Sequence, residues 1–190
     1  LEAKFKLGLF ENRFVDEDDI SKKIFNHHHT ETALKLARQG IVLLKNNDVL
    51  PLVSTKNSNN KILVTGPNAN NQSILGDWHS AQPDENVYTV FEGIKKIGTE
   101  MGYLVDYHNS NENIKRISEK DISKTIEIAN EYDLVVLVVG DNSMRYKWNQ
   151  KTAGENTARA ELNLAGKQLE LAMRLKAVSY THLRAHETLP

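Results

Sequence analysis

Apolar residues gather along this chain in short blocks separated by polar stretches. The most apolar block is Leu134-Val135-Val136-Leu137-Val138-Val139, stopped by Gly140. A run that is apolar at odd and even positions alike buries both of its faces, which predicts a central strand of a parallel sheet. Ile62-Leu63-Val64, within 61–65 and closed by Gly66-Pro67, predicts a second strand, and Leu104–Tyr107 a third. Between them, Val90, Phe91, Ile94, Ile97, Gly98 and Met101 fall at i, i+1, i+4, i+7, i+8 and i+11, an apolar helical stripe. Ser118-x-x-Asp121 has the spacing of a capping box and predicts a helix carrying Ile122, Ile126 and Ala129. Leu164, Gln168, Leu169, Ala172 and Leu175 predict a last helix. Strand and helix in regular alternation give an α/β fold: a mostly parallel sheet, right-handed crossovers and helices on both faces.

The two ends of the chain read differently. Leu7, Leu9, Phe10 and Phe14 are apolar knobs without a sustained period, and Asp16-Glu17-Asp18-Asp19 follows at once. Residues 1–30 are therefore expected to be an extended connector lying across another surface. A helix over about 30–39 follows, with Ala33, Leu34 and Ala37 on one face and Gly40 ending it. Ile41-Val42-Leu43-Leu44 predicts a short buried strand, and Asn57-Ser58-Asn59-Asn60 a loop. The domain proper is expected to span 31–177. Past it, Val178-Ser179-Tyr180-Thr181-His182-Leu183-Arg184-Ala185-His186-Glu187-Thr188 breaks the alternation where another buried strand is due. Residues 178–190 resemble a translated sequencing adapter, a non-native tail expected to pack against nothing.

Composition narrows the function classes. Twenty-four Lys+Arg against 25 Asp+Glu leave a formal charge of −1, without the basic surplus that nucleic acid or an anionic membrane surface selects. No apolar run is long enough to span a bilayer. The absence of Cys excludes a disulfide scaffold, thiolate metal sites and a Cys nucleophile, and leaves the compartment undetermined. Leu1-Glu2-Ala3-Lys4 is neither an initiator Met nor a signal-peptide core, so the chain is expected to begin in mid-protein.

In an open α/β sheet, ligands sit beyond the carboxyl ends of the strands. After the strand ending at Gly140, residues 141–161 show no clear period, whereas βα loops commonly have about 2–6 residues. Met144, Tyr146 and Trp148 argue that this loop is ordered, and Arg145, Glu155 and Arg159 give it chemistry. A lone Glu such as Glu155 is ordinarily a solvated charge; as a general acid/base it needs a partner carboxylate, absent nearby in sequence. Trp78 and Trp148 are either core residues or platforms for the C–H face of a sugar. His27-His28-His29 point in different directions and lack the spacing of a metal site. Gly66-Pro67-Asn68 lacks the glycine and lysine pattern of a phosphate loop, and Pro67 removes a backbone donor.

Several ordered blocks carry a resemblance. Lys4-Phe5-Lys6-Leu7-Gly8-Leu9-Phe10-Glu11-Asn12 is similar to the segment leaving the catalytic barrel of glycoside hydrolase family 3. Val42-Leu43-Leu44-Lys45-Asn46 with Leu50-Pro51-Leu52 resembles the opening of that family's second domain. Lys61–Ala69 looks like its first strand and turn. Leu75-Gly76-Asp77-Trp78 matches a further block. Gly154-Glu155, Arg159, Leu162, Leu164, Gly166 and Gln168 resemble a later one, with Ala165 where Pro is usual.

The resemblance implies a piece of a two-domain, β-glucosidase-like enzyme acting on a β-linked oligosaccharide or glucoside. A barrel domain of the same chain, missing here, carries an Asp nucleophile, and the α/β domain lends an acid/base Glu. Glu155 matches the acid/base region, with Asp141 as the runner-up. Trp78, Trp148 and Arg159 are the implied substrate-binding residues. Arg159 either orients Glu155 or pairs with Glu161. The chemistry implied is retaining hydrolysis of terminal non-reducing β-D-glycosyl residues, with no metal or organic cofactor and no nucleic-acid or membrane partner. This piece alone is expected to be inactive. β-Xylosidase or another specificity within the family stays open, as does a non-catalytic α/β ligand-binding module.

Overall fold

A computed structural model describes residues 1–24, 26–53, 60–178 and 182–183. The chain divides into two units, Leu1–Val42 and Leu43–Pro190. The first holds α1 (Glu2–Lys6), α2 (Ile20–Lys23) and α3 (His27–Gly40), and none of its described residues is buried. The helix expected near 30–39 starts earlier because the Asn26 side chain accepts the His29 N–H, which places His27–His29 in its first turn.

The second unit is built on a parallel sheet of β1 (Lys61–Thr65), β2 (Leu104–His108), β3 (Leu134–Leu137) and β4 (His182–Leu183), in the order β2-β1-β3-β4. Side chains alternate across a strand, and β1 uses both faces. Ile62 and Val64 enter one core layer with Val105, Leu134 and Val136, against which Phe91 and Ile94 of α4 (Val90–Glu100) pack. Leu63 and Val135 enter the other, with Ile122 and Ala129 of α5 (Glu119–Ala129) and Leu171 and Leu175 of α6 (Gln168–Val178). Helices thus cover both faces of the sheet. Two capping boxes start α4 and α5: Thr89 with Glu92, and Ser118 with Asp121, each with both reciprocal bonds formed.

Three expectations need correction. Ile41, Val42, Leu43 and Leu44 form no strand and are 67%, 62%, 54% and 58% exposed. Apolar character alone does not make a strand without a neighbouring ladder to complete its hydrogen bonds. Leu164 does not join the last helix, because Gly166 (φ +61°) turns the chain directly against the carbonyl oxygen of Ile114. The helix begins two residues later and buries Gln168, Leu171 and Leu175, leaving Leu169 outward. At the far end, Val178 closes α6, and the backbone of His182–Leu183 pairs with Val135 and Val136 of β3. Two residues of the expected free tail therefore touch the sheet; an open strand edge accepts any extended backbone, whatever its side chains. Residues 179–181 and 184–190 of that tail, and 57–59 of the expected loop, lie outside the described residues.

β1 and β2 are also linked through His108. The Thr65 hydroxyl donates to the His108 carbonyl at 2.8 Å, and the His108 ring nitrogen Nε2 lies 3.1 Å from Thr125 Oγ1. Thr125 spends its own proton on the Asp121 carbonyl at 2.7 Å, so Nε2 is the donor and carries the proton of the neutral ring. Burial, then the charge of Lys124, holds the His108 imidazole below its ordinary value, opposed by Asp121. The unfolded chain then takes up this proton first as pH falls. The stability His108 contributes is complete above its unfolded value of about 6.5 and is lost as pH drops through the lower, folded value. Urea unfolding between about pH 7 and pH 5 is expected to show this loss, and His108→Gln to flatten it. An unchanged slope in the variant contradicts the assignment.

Candidate functional site

Strand order reverses between β1 and β3, and the chain leaves both strands at their carboxyl ends side by side. Gly66 (φ +108°) is forced there: a Cβ would lie 2.1 Å from the Val138 carbonyl oxygen. The next polar residue, Asn68, ties the two exits together. Its Nδ2 donates to the carbonyls of Gly140 and Asp141, each at 3.3 Å, and its Oδ1 accepts from Asn142 Nδ2 at 3.2 Å. Gln168 holds the same exit from α6, its Oε1 accepting the Gly140 N–H at 2.9 Å.

From this anchor the loop 141–161 folds back on itself. The Asn142 N–H donates to Thr152 Oγ1 at 2.8 Å, the Thr152 N–H returns to the Asn142 carbonyl at 2.8 Å, and the Met144 N–H reaches Asn142 Oδ1 at 2.8 Å. Asn142, Met144, Lys151 and Thr152 are buried, so the loop has a core of its own. A second loop reaches it from β1. The Gln72 side chain bonds the Gln82 backbone twice, closing residues 72–82, and Gly76 (φ +76°) turns Asp77 and Trp78 toward Gly154-Glu155.

Asp77 is the hub of the resulting cluster. Its Oδ2 accepts the Glu155 N–H at 2.8 Å and its Oδ1 the N–H of Trp78 at 2.9 Å. Lys151 Nζ lies 3.4 Å from Oδ1 and donates to the Glu155 carbonyl at 3.1 Å. The Glu155 N–H, the Trp78 N–H and the Lys151 charge hold the Asp77 carboxyl below the usual carboxylate range, against the opposing effect of burial. Arg145 completes the cluster. Its Nη2 is 2.9 Å from Glu155 Oε2, and its Nη1 is buried without a hydrogen-bond partner, 3.7 Å from Asp77 Oδ1. Its guanidinium carbon sits 4.1 Å from the Trp78 ring centroid and 5.6 Å from that of Trp148, and Lys151 Nζ lies 4.3 Å over Trp148.

The residues singled out in the sequence separate into two groups. Glu155, Trp78 and Trp148 come together around Arg145. The two tryptophans are not core residues: Trp78 is 72% and Trp148 48% exposed, and Trp78 holds φ +59°, rare for a bulky side chain. Asp141 and Arg159 form a separate pair. Arg159 binds both carboxylate oxygens of Asp141 and the Asn163 carbonyl, so it neither orients Glu155 nor pairs with Glu161. The carboxylate near Glu155 is Asp77, 78 positions away in sequence. Arg145, one of the charged residues that mark the loop in the sequence, is joined in this cluster by Asp77 and Lys151, neither of which was selected as a candidate in advance. Lys151, 1% exposed, looks in the sequence like any surface lysine. A polar hollow of about 520 Å³ opens beside the loop, its lining including Asn109, Glu112, Asn113, Lys147 and Gln150.

A family model described as the glycosyl hydrolase family 3 C-terminal domain matches residues 41–182. A β-xylosidase of Formosa agariphila is 34% identical over 180 residues, covering 90% of this chain and 23% of that protein. A periplasmic β-glucosidase of Salmonella typhimurium is 27% identical, covering 93% and 25%. Among solved structures, a β-glucosidase involved in saponin metabolism from intestinal bacteria superposes with a TM-score of 0.78 at 29% identity, over 93% of this chain and 26% of that one. The chain thus spans about a quarter of the length of these relatives.

Gly154 is expected to be irreplaceable in this arrangement. It has φ +91°, and a Cβ there would lie 2.3 Å from Asp77 Oδ2. Gly154→Ala is expected to destabilise the protein by about 1–3 kcal/mol in urea unfolding. A stability equal to the parent's contradicts the close approach described.

Proposed function

The chain belongs to the glycosyl hydrolase family 3 C-terminal domain family, and from that premise we propose that it is the acid/base-bearing part of a retaining, exo-acting β-glycosidase. The substrate class is a terminal non-reducing β-D-glycosyl residue, β-glucoside first, with β-xyloside as the alternative within the family. The observation that carries the reading is the position of Glu155. It lies beyond the carboxyl ends of β1 and β3, ion-paired to Arg145 and grouped with the exposed ring of Trp78. Of the two candidate carboxylates, Asp141 has both oxygens engaged by Arg159, whereas the ion pair of Glu155 uses one.

In this reading a barrel domain of the longer protein supplies the Asp nucleophile. That Asp attacks the anomeric carbon while protonated Glu155 gives its proton to the leaving oxygen. Glu155 as carboxylate then takes a proton from the water that releases the sugar. Double displacement places the two carboxyl groups about 5–5.5 Å apart. Trp78 offers a ring to the apolar face of the sugar, and Arg145 holds the Glu155 carboxylate beside that ring. Arg159 orders the loop through Asp141 rather than meeting substrate.

The test uses the barrel-containing enzyme. Glu155→Ala is expected to slow glycosides with poor leaving groups by about 10²–10⁴-fold, to spare the first step on acidic phenols, and to regain turnover with azide. Asp141→Ala is expected to lower stability without azide rescue. If the leaving-group dependence and rescue follow Asp141 instead, the assignment moves there. The 190-residue chain by itself is expected not to hydrolyse an aryl β-glucoside. Turnover by it that Glu155→Ala abolishes overturns the need for a barrel.

A further inference from the structure

Lys151 is the most buried cation described in the chain and has no part in the proton transfers above. Its Nζ spans three groups: the Glu155 carbonyl at 3.1 Å, Asp77 Oδ1 at 3.4 Å and the face of Trp148 at 4.3 Å. Asp77, bonded to Lys151 on one oxygen, accepts the Glu155 N–H on the other. The two peptide groups flanking the Glu155 Cα are thereby held from both sides by one ion pair. A carboxylate takes the N–H, and its partner ammonium takes the C=O. Gly154 allows the approach, since any side chain there would displace Asp77.

We propose that the Lys151–Asp77 pair is a positioning device for Glu155, fixing its backbone so that the carboxyl group meets the leaving oxygen at reacting distance. Lys151 touches neither substrate nor proton and acts only through the Glu155 backbone. Burying an ion pair adds little to stability when an apolar pair of the same shape would serve. What it provides here is two directional bonds to one residue, and a misplacement of about 1 Å at a reacting group costs roughly 10²-fold in rate.

This inference rests on Glu155 being the acid/base, and its test keeps the two apart. In the barrel-containing enzyme, Lys151→Met is expected to lower kcat roughly 10- to 100-fold for poor leaving groups, with KM changed by less than about 3-fold. Lys151→Arg is expected to recover most of the loss. The deciding measurement is the double-mutant cycle: on a Glu155→Ala background, Lys151→Met is expected to cost less than about 2-fold more, because a positioning residue has nothing left to position. A full additional loss on that background, a change confined to KM, or an unaltered kcat overturns the proposal. Should Lys151→Met not fold, Asp77→Asn breaks the same pair and enters the same cycle. Should Glu155→Ala show neither leaving-group dependence nor azide rescue, the functional reading fails. Amide hydrogen exchange then decides the clamp alone: exchange at the Glu155 N–H is expected to rise in Lys151→Met, and unchanged exchange overturns the clamp as well.

Discussion

The side-chain amide of Asn68 is the contact on which the carboxyl end of this sheet depends. β1 and β3 deliver two loops to one place, and each arrives with backbone groups that have lost their ladder partners. One buried amide takes up two of these demands, donating to the Gly140 and Asp141 carbonyls, and its oxygen accepts from the Asn142 side chain. A buried carbonyl left unpaired costs about 1–3 kcal/mol. The loop 141–161 therefore has one favourable way to leave β3. Asn142 carries that fixity onward through Thr152 and Met144, and Thr152 immediately follows Lys151. The position of Glu155 is in this sense inherited from β1.

Around Glu155 the chain gathers one further carboxylate, Asp77, and two cations. Arg145 and Lys151 differ in what they do there. Arg145 lays a flat guanidinium against two indole rings and pairs through Nη2 with the carboxylate of Glu155, so it acts on that side chain. Lys151 is a point charge enclosed by a ring face, a carboxylate and a carbonyl, the arrangement of a strut. Asp77 serves both and lies between them.

The sheet and most of its helices are legible in the sequence because burial leaves a period. Ile62-Leu63-Val64 and Leu134–Leu137 lie between helical layers, so every position is apolar. The stripe from Val90 faces one layer, so it repeats with the helix. Ser118 and Asp121 announce α5 by a local bond. Where the reading fails, the determinant is not local. Ile41–Leu44 are as apolar as a strand, yet find no ladder among the described residues. Leu164 matches the helical period of α6, but Gly166 must pass the Ile114 carbonyl in a conformation no helix uses. The site follows the same rule. Glu155, Trp78 and Trp148 stand out by residue type, and their family-like blocks place two of them. Asp77 and Lys151 meet across 74 positions, and no spacing rule announces a pair formed by two converging loops.

The same convergence favours Glu155 over Asp141 in the proposed acid/base role. A group that gives up and regains a proton needs an oxygen within reach of the reacting atoms. Asp141 sits one residue past the strand exit, its carbonyl tied to Asn68 and both carboxylate oxygens to Arg159. Releasing it would cost the loop its second anchor. Glu155 is fixed in the opposite sense: its backbone is bonded on both sides, while its side chain is 37% exposed and meets one cation through a single oxygen. In the proposed role, a rigid backbone beneath a lightly engaged carboxyl would keep a proton donor on target without spending the oxygen that must react. Asp141, with its carboxyl bound on both oxygens, is built to hold the loop.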